Sequence, residues 1–305
     1  DLGADRFRRW AAVKGLAEQL PDEAVYLCPL CTRLLCTKEE LGTGLLSGEH
    51  VPPKDVGGGK ILLTCKPCNN GQGGRIDGHA RGREWFVDLI TGTHTLPRKK
   101  DQFPTVDGEH HAGPFTGRGN LWLGPGGIGF EYDNNPKRND KAKFAAYEQN
   151  ARETTSWRLT ANLGYKENLA DLSYIRAAYL ASFAVFGWTH ILRPTYDLLR
   201  QRLAEASMTD LEKVAYQYDA EDGSGGRAMF LVDHPDSPVH GLVVIKISRV
   251  SVVLPGPEDP RSLPGAAAAL YALREQGDHT LDGYPIPWPT KPEHRWDPKP
   301  DPLAA

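Results

Sequence analysis

The chain has 305 residues, 40% hydrophobic and 25% charged, with 36 Lys and Arg against 39 Asp and Glu and a formal net charge of −3. That length predicts two domains, or one with a long appendage, and the apolar share supplies a real core. A net charge of this sign excludes a protein that coats nucleic acid indiscriminately. Five cysteines are too few for a secreted disulfide framework, there is no run of eighteen apolar residues, and no leader is read at the start. The expected location is therefore cytoplasmic, with no membrane partner.

In chain order, residues 5–20 predict a helix. Phe7, Trp10, Ala11, Leu16 and Leu20 follow helical spacing, Arg6, Arg8, Arg9 and Lys14 decorate the other faces, and Pro21-Asp22 ends it. Then comes Cys28-Pro29-Leu30-Cys31, followed thirty-three residues later by Cys65-Lys66-Pro67-Cys68. Two thiolates spaced by two residues can bind one zinc from a single turn, and a second pair completes a four-sulfur site. Cys28, Cys31, Cys65 and Cys68 are thus the expected structural Zn²⁺ ligands. Cys36 reads as a small buried thiol, with a swap for Cys31 as the alternative.

The interval between the pairs carries Glu49-His50, then Val51-Pro52-Pro53, which stiffens the exit of a strand. Gly57-Gly58-Gly59 reads as a turn and Ile61 to Thr64 as a short strand into the second pair. A helix is expected after Cys68, so the order is strand, loop, strand, helix. A carboxylate such as Glu49 suits a hard divalent cation. The plain alternative is a zinc ribbon that only binds a partner.

Glu49-His50-Val51-Pro52-Pro53-Lys54 with Leu63-Thr64-Cys65, Cys68-Asn69-Asn70 resembles the HNH endonuclease family, the ββα-metal nucleases, over about residues 25 to 90. The resemblance implies that His50 is the general base that activates water. It implies that Glu49 and Asn69 hold a catalytic Mg²⁺ or Mn²⁺, and that His79 is a further metal ligand or phosphate contact. The family's middle Asn is missing, because Gly59-Lys60-Ile61-Leu62 stands there. Its usual task is to orient the loop.

After Asn70, Gly71-Gln72-Gly73-Gly74 predicts an irregular first helical turn, since glycine costs helix stability. Lys54, Arg75, Arg81 and Arg83 are the expected nucleic-acid contacts, with the Arg side chains clamping phosphates. Residues 1–100 carry a balance of +3 and the remainder −6, which fits a local basic surface.

Residues 93–140 are rich in Gly, Pro and Asp. Asn120 to Leu123 and Ile128 to Tyr132 predict a hairpin, and His110-His111 a polar turn. A short helix is expected from Phe144 to Arg152 and a strand at Trp157 to Thr160. Leu169 to Ile191 is the strongest helix, apolar on more than one face and therefore central. It contains Arg176-Ala177-Ala178-Tyr179-Leu180, a segment also found in similar HNH proteins without assigned chemistry. Tyr196 to Leu203 and Asp210 to Tyr216 read as short helices. Ala228 to Asp233, Leu242 to Ile247 and Val250 to Leu254 read as strands, and Leu263 to Gln276 as a helix. The proline-rich residues 283–302 should be extended or disordered, with Trp288 and Trp296 as pins.

The expected fold class is α+β: a zinc-stapled ββα-metal nuclease domain over 1–95, a mixed α+β domain over 96–282 that folds by itself, and a tail over 283–305. The expected function is a metal-dependent HNH endonuclease acting on DNA, with RNA left open and bacterial defence as a setting by analogy. A protein partner or second copy is expected on the C-terminal domain. The alternative is a non-catalytic zinc-ribbon adaptor that binds nucleic acid.

Overall fold

The computed structural model describes residues 24–33, 35–37, 39–91, 105–112, 115–124, 127–133, 139–153, 157–161, 164–217, 226–275 and 283–290. The helix expected over 5–20, and Trp296 with the end of the tail, lie outside the described residues. The chain groups into two compact units, one of residues up to Arg81 together with Lys166 onward, the other of Gly82–Tyr165. This grouping differs from the expected boundary near residue 95, because the last 140 residues belong with the cysteine region.

In the first unit, β1 (Ala24–Leu27) pairs antiparallel with β2 (Leu35–Thr37). β3 (Leu46–Val51) pairs antiparallel with β4 (Gly59–Cys65), and α1 (Lys66–Thr91) follows at once. The connection between β3 and β4 is tight. Gly58 N–H donates to Pro53 O at 3.1 Å. A Cβ at Gly58 would lie 1.5 Å from the Pro52 carbonyl oxygen, so only glycine fits. Despite its glycines, α1 runs unbroken. Cys68, Gln72, Ile76 and Ala80 recur every four residues and are buried, so packing of one face overrides poor propensity.

The rest of this unit begins with α3 (Glu167–Ile191), interrupted at Gly187. It continues with α4 (Asp197–Glu205), β9 (Ala215–Gln217), β10 (Arg227–Val232), β11 (Leu242–Ile247), β12 (Val250–Pro255), α5 (Leu263–Glu275) and β13 (Gly283–Ile286). The five strands form an antiparallel sheet in the order β13-β10-β11-β12-β9. Every residue of β12 is buried, and the alternation of strand side chains divides them. Val250, Val252 and Leu254 join the core that contains α3, whereas Val253 joins a smaller core with Ala266 and Leu270 of α5.

Three expectations are corrected here. Residues 209–214 form turns rather than a helix, and Ala215–Gln217 is a strand. The proline-rich segment is not all loose: Gly283–Ile286 pairs with β10, and Trp288 packs partly buried against the core. The cysteine region and the C-terminal α+β body are not separate folds. Tyr26, Leu30, Leu62 and Ile76 lie in one buried cluster with Tyr174, Tyr179, Tyr196 and Ile245.

Helix α3 is long and apolar enough to cross a bilayer by composition. However, 72% of its most apolar window is buried inside the protein, including Arg176, which is the placement of a core helix.

In the second unit, β5 (Thr105–Ala112), β6 (Phe115–Gly124), β7 (Gly127–Tyr132) and β8 (Trp157–Ala161) form an antiparallel sheet in the order β7-β6-β5-β8. The predicted hairpin at 120–132 is present as β6 and β7. α2 (Lys141–Glu153) packs on β5 and β6, where its Tyr147 stacks with Tyr132 and its Phe144 lies tilted against the same ring. His110-His111 lies within β5, not in a turn. The His110 imidazole hydrogen-bonds the Tyr147 hydroxyl, because the strand points it at that aromatic cluster.

Candidate metal centre and active site

Cys28, Cys31, Cys65 and Cys68 bring their four sulfur atoms within 4.8 Å of one another. A tetrahedral zinc with bonds of about 2.3 Å has sulfur–sulfur edges of about 3.8 Å, and Cys31 Sγ lies 3.9 Å from Cys65 Sγ. Local structure explains the convergence. Thr32 N–H closes on Cys28 O at 2.9 Å with Thr32 at φ 51°, which makes the first tight turn. Cys65 ends β4 and Cys68 sits in the first turn of α1, so both sulfurs return to one point. Cys65 N–H donates to Cys28 Sγ at 3.3 Å.

None of the four is in a disulfide. Their crowding opposes ionisation without a cation. The hydrogen bond with Cys31, then burial, pushes the Cys28 thiol up to about 12, and the Cys28 and Cys31 sulfurs raise that of Cys68. Four thiols in this arrangement could bind a zinc ion. Cys36 is buried outside the cluster, as a small apolar residue would be.

The β3–β4 register shifts between Glu49 and His50. Glu49 turns inward and is buried, while His50 stays half-buried and pairs across the hairpin with Lys60. Burial, then the positive charge of Lys60, lowers the His50 pKa, with Lys54 adding to it and Glu49 opposing. The imidazole is therefore neutral near pH 7 and able to accept a proton.

Glu49 does not sit as a metal ligand would. Its Oε1 accepts from Arg176 Nη1 at 3.1 Å, and its Oε2 accepts from Arg176 Nη2 at 2.8 Å and Thr64 Oγ1 at 2.9 Å. The guanidinium also lies 3.6 Å from Asp77 Oδ2, whose Oδ1 accepts from Ser173 Oγ at 3.0 Å. Burial raises the Asp77 pKa, against the pull of Arg176. A divalent cation on Glu49 would have to displace Arg176, leaving a buried guanidinium without its bidentate partner, a loss of several kcal/mol.

Asn69 is likewise engaged. Its Nδ2 donates to Ser47 Oγ at 2.9 Å and Gly48 O at 3.3 Å, bracing α1 against β3. Glu49 and Asn69 as placed do not fit the catalytic cation that the resemblance implies.

The other expected residues divide. Lys54 is exposed in the β3–β4 connection and its charge reaches His50. Arg75 is exposed but bonds Gly71 O at 3.0 Å and Ala204 O at 2.8 Å. Arg81 is exposed and pairs with Asp55 at 3.4 Å. Arg83 is buried, which removes it from the nucleic-acid contacts. His79 is engaged through one ring nitrogen. Its Nδ1 accepts Lys166 N–H at 3.0 Å, and burial followed by Lys166 lowers its pKa, so it is a neutral acceptor that holds the start of α3.

Sequence reasoning missed Arg176, Asp77 and Lys60. The signal for Arg176 was present, since an arginine inside an apolar helix needs a buried counter-charge. Nearby, the Tyr179 hydroxyl donates to Pro29 O at 2.7 Å and Trp188 Nε1–H to Leu27 O at 3.0 Å, so α3 also supports the first cysteine turn. The Arg227 guanidinium hydrogen-bonds Gly57 O in the β3–β4 connection. No family model, curated protein or solved structure matches the chain.

Proposed function

We propose that the chain is an endonuclease that hydrolyses phosphodiester bonds in DNA, with a ββα module stapled by Zn²⁺ on Cys28, Cys31, Cys65 and Cys68. The observation that carries this reading is the placement of His50. A neutral, half-buried imidazole stands on a hairpin that runs directly into a helix, with the four sulfurs gathered at that junction. His50 would take the proton of the attacking water, a general-base task that suits an imidazole with a pKa near or below operating pH. The zinc would supply folding energy and no step of the reaction. A dependence on Mg²⁺ or Mn²⁺ belongs to this proposal as a condition of the assay, with no ligand role assigned to Glu49 or Asn69.

A second reading, a zinc-ribbon adaptor that binds nucleic acid without cutting it, is favoured by the engagement of Glu49 with Arg176. Nicking of supercoiled plasmid by the wild type and by His50→Ala separates the two. Loss of nicking in the variant supports the nuclease. No nicking by the wild type supports the adaptor.

A further inference from the structure

The connection and strands around His50 carry two lysines, Lys54 and Lys60. Lys54 and Lys60 are both exposed, and among the described residues neither forms an ion pair with a carboxylate. Lys60 stands directly across the hairpin from His50, and side chains at such paired positions share a face about 5 Å apart. Its aliphatic stem lies over Gly48, where a Cβ would come within 2.9 Å of Lys60 Cδ. Glycine at 48 therefore lets the lysine lie along the hairpin face rather than stand away from it. The connection that carries Lys54 is held by the bond from Arg227 to Gly57 O. Arg227 is itself stacked over the Trp288 ring at 5.9 Å. Both cations are thus carried on braced backbone beside one neutral base.

We propose that Lys60 and Lys54 form a phosphate-holding pair that presents a nucleic-acid phosphodiester to His50, with Lys60 the contact nearest the imidazole. Two cations there would neutralise the phosphate oxygens and set the scissile group against the base. Contact is to the backbone, so the pair is indifferent to base sequence. The proposal rests on the nuclease reading for the cleavage step only. Binding is measured separately.

The test uses the full chain and a labelled duplex DNA oligonucleotide, with affinity measured across a salt series. Each neutralised phosphate contributes a slope of about −0.9 to log K against log salt. Lys60→Gln and Lys54→Gln are each expected to make the slope shallower by about that amount and the double variant by about twice it, equally for unrelated DNA sequences. Lys60→Arg restores the slope. In cleavage, Lys60→Gln is expected to raise KM more than it lowers kcat. Inorganic phosphate should displace the DNA only weakly. Displacement by phosphate at the affinity of the DNA would overturn the assignment to a nucleic-acid backbone. An unchanged slope in the folded double variant would overturn the pair itself. Lysine-dependent binding by a wild type that does not cut supports the pair and removes the nuclease reading.

Discussion

Arg176 holds Glu49 in a bidentate ion pair across 127 residues of sequence, with both side chains buried. The pair joins the β3–β4 hairpin to the central helix and fixes the carboxylate next to His50. Removing one partner leaves an uncompensated buried charge. Arg176→Met is expected to lose about 3–5 kcal/mol of stability and Glu49→Leu a similar amount. The double variant should lose less than the sum, because it removes both members of the buried pair and leaves only Asp77, whose raised pKa lets it protonate, without its cation. Denaturant unfolding of the four proteins checks this, and simple additivity would contradict it. The same pairing implies that Glu49→Gln leaves Mn²⁺ affinity unchanged by calorimetry, opposite to what a metal ligand would show.

The four cysteines should hold one zinc per chain. Tyr26, Leu27 and Leu30 around the first cysteine turn share a core with α3 and the five-stranded sheet. Losing the metal should therefore loosen the whole first unit and not the N-terminal hairpins alone. Cys28→Ser is expected to lose zinc by elemental analysis and to lower Tm for probes on both halves of the sequence. Less than half an equivalent of zinc in the wild type would contradict the site.

The unit of residues 82–165 should be removable. His79 accepts a hydrogen bond from Lys166 N–H, so the chain re-enters the first unit beside the place where it left. Replacing Gly82–Tyr165 with a short Gly/Ser linker is expected to leave a folded, zinc-binding protein. A fragment beginning near residue 100 should fail to fold, since Leu62, Ile76 and Ala80 are missing from its core. Circular dichroism and hydrogen exchange check both, and an independently folded 100–305 fragment would contradict the shared core.

Local pattern made much of this legible. The four-cysteine cluster, the strand–loop–strand–helix order, the hairpin at 120–132 and the central helix follow from spacing and periodicity. What sequence could not show was the partnership of distant segments. Glu49 reads as a metal ligand because its neighbours in sequence suit one, but its neighbour in space is Arg176. The return of the chain at Lys166 is also a long-range event with no local signature. Residues 210–216 space their apolar side chains like a helix, yet they form turns leading into the short strand Ala215–Gln217. The strand character of His110-His111 was hidden by polar residues that pair with Thr116, Thr160 and Tyr147.

A buried histidine sets one pH dependence. Burial, then the charge of Arg193, lowers the His190 pKa to about 3 from an ordinary value of 6.5. Its Nε2 lies 2.9 Å from the Tyr196 hydroxyl, which donates to Pro255 O at 2.7 Å, so Nε2 carries the proton of a neutral ring. Below pH 6.5 the unfolded chain gains a proton that the folded chain refuses. Stability from this group is thus intact above about pH 6.5 and falls as pH drops towards 3, by on the order of 3 kcal/mol at pH 4. His190→Gln should flatten that part of the stability–pH curve. An unchanged acid slope in a folded His190→Gln protein would contradict the assignment.

The central claim is that His50 is the base of a phosphodiester hydrolase. The most direct measurement is the rate of nicking of supercoiled plasmid in Mg²⁺ or Mn²⁺ by the wild type and by His50→Ala, each purified to the same zinc content. The expected result is nicking by the wild type and a rate reduced by on the order of a hundredfold or more in the variant, with DNA affinity retained. Nicking by His50→Ala at the wild-type rate would contradict the account.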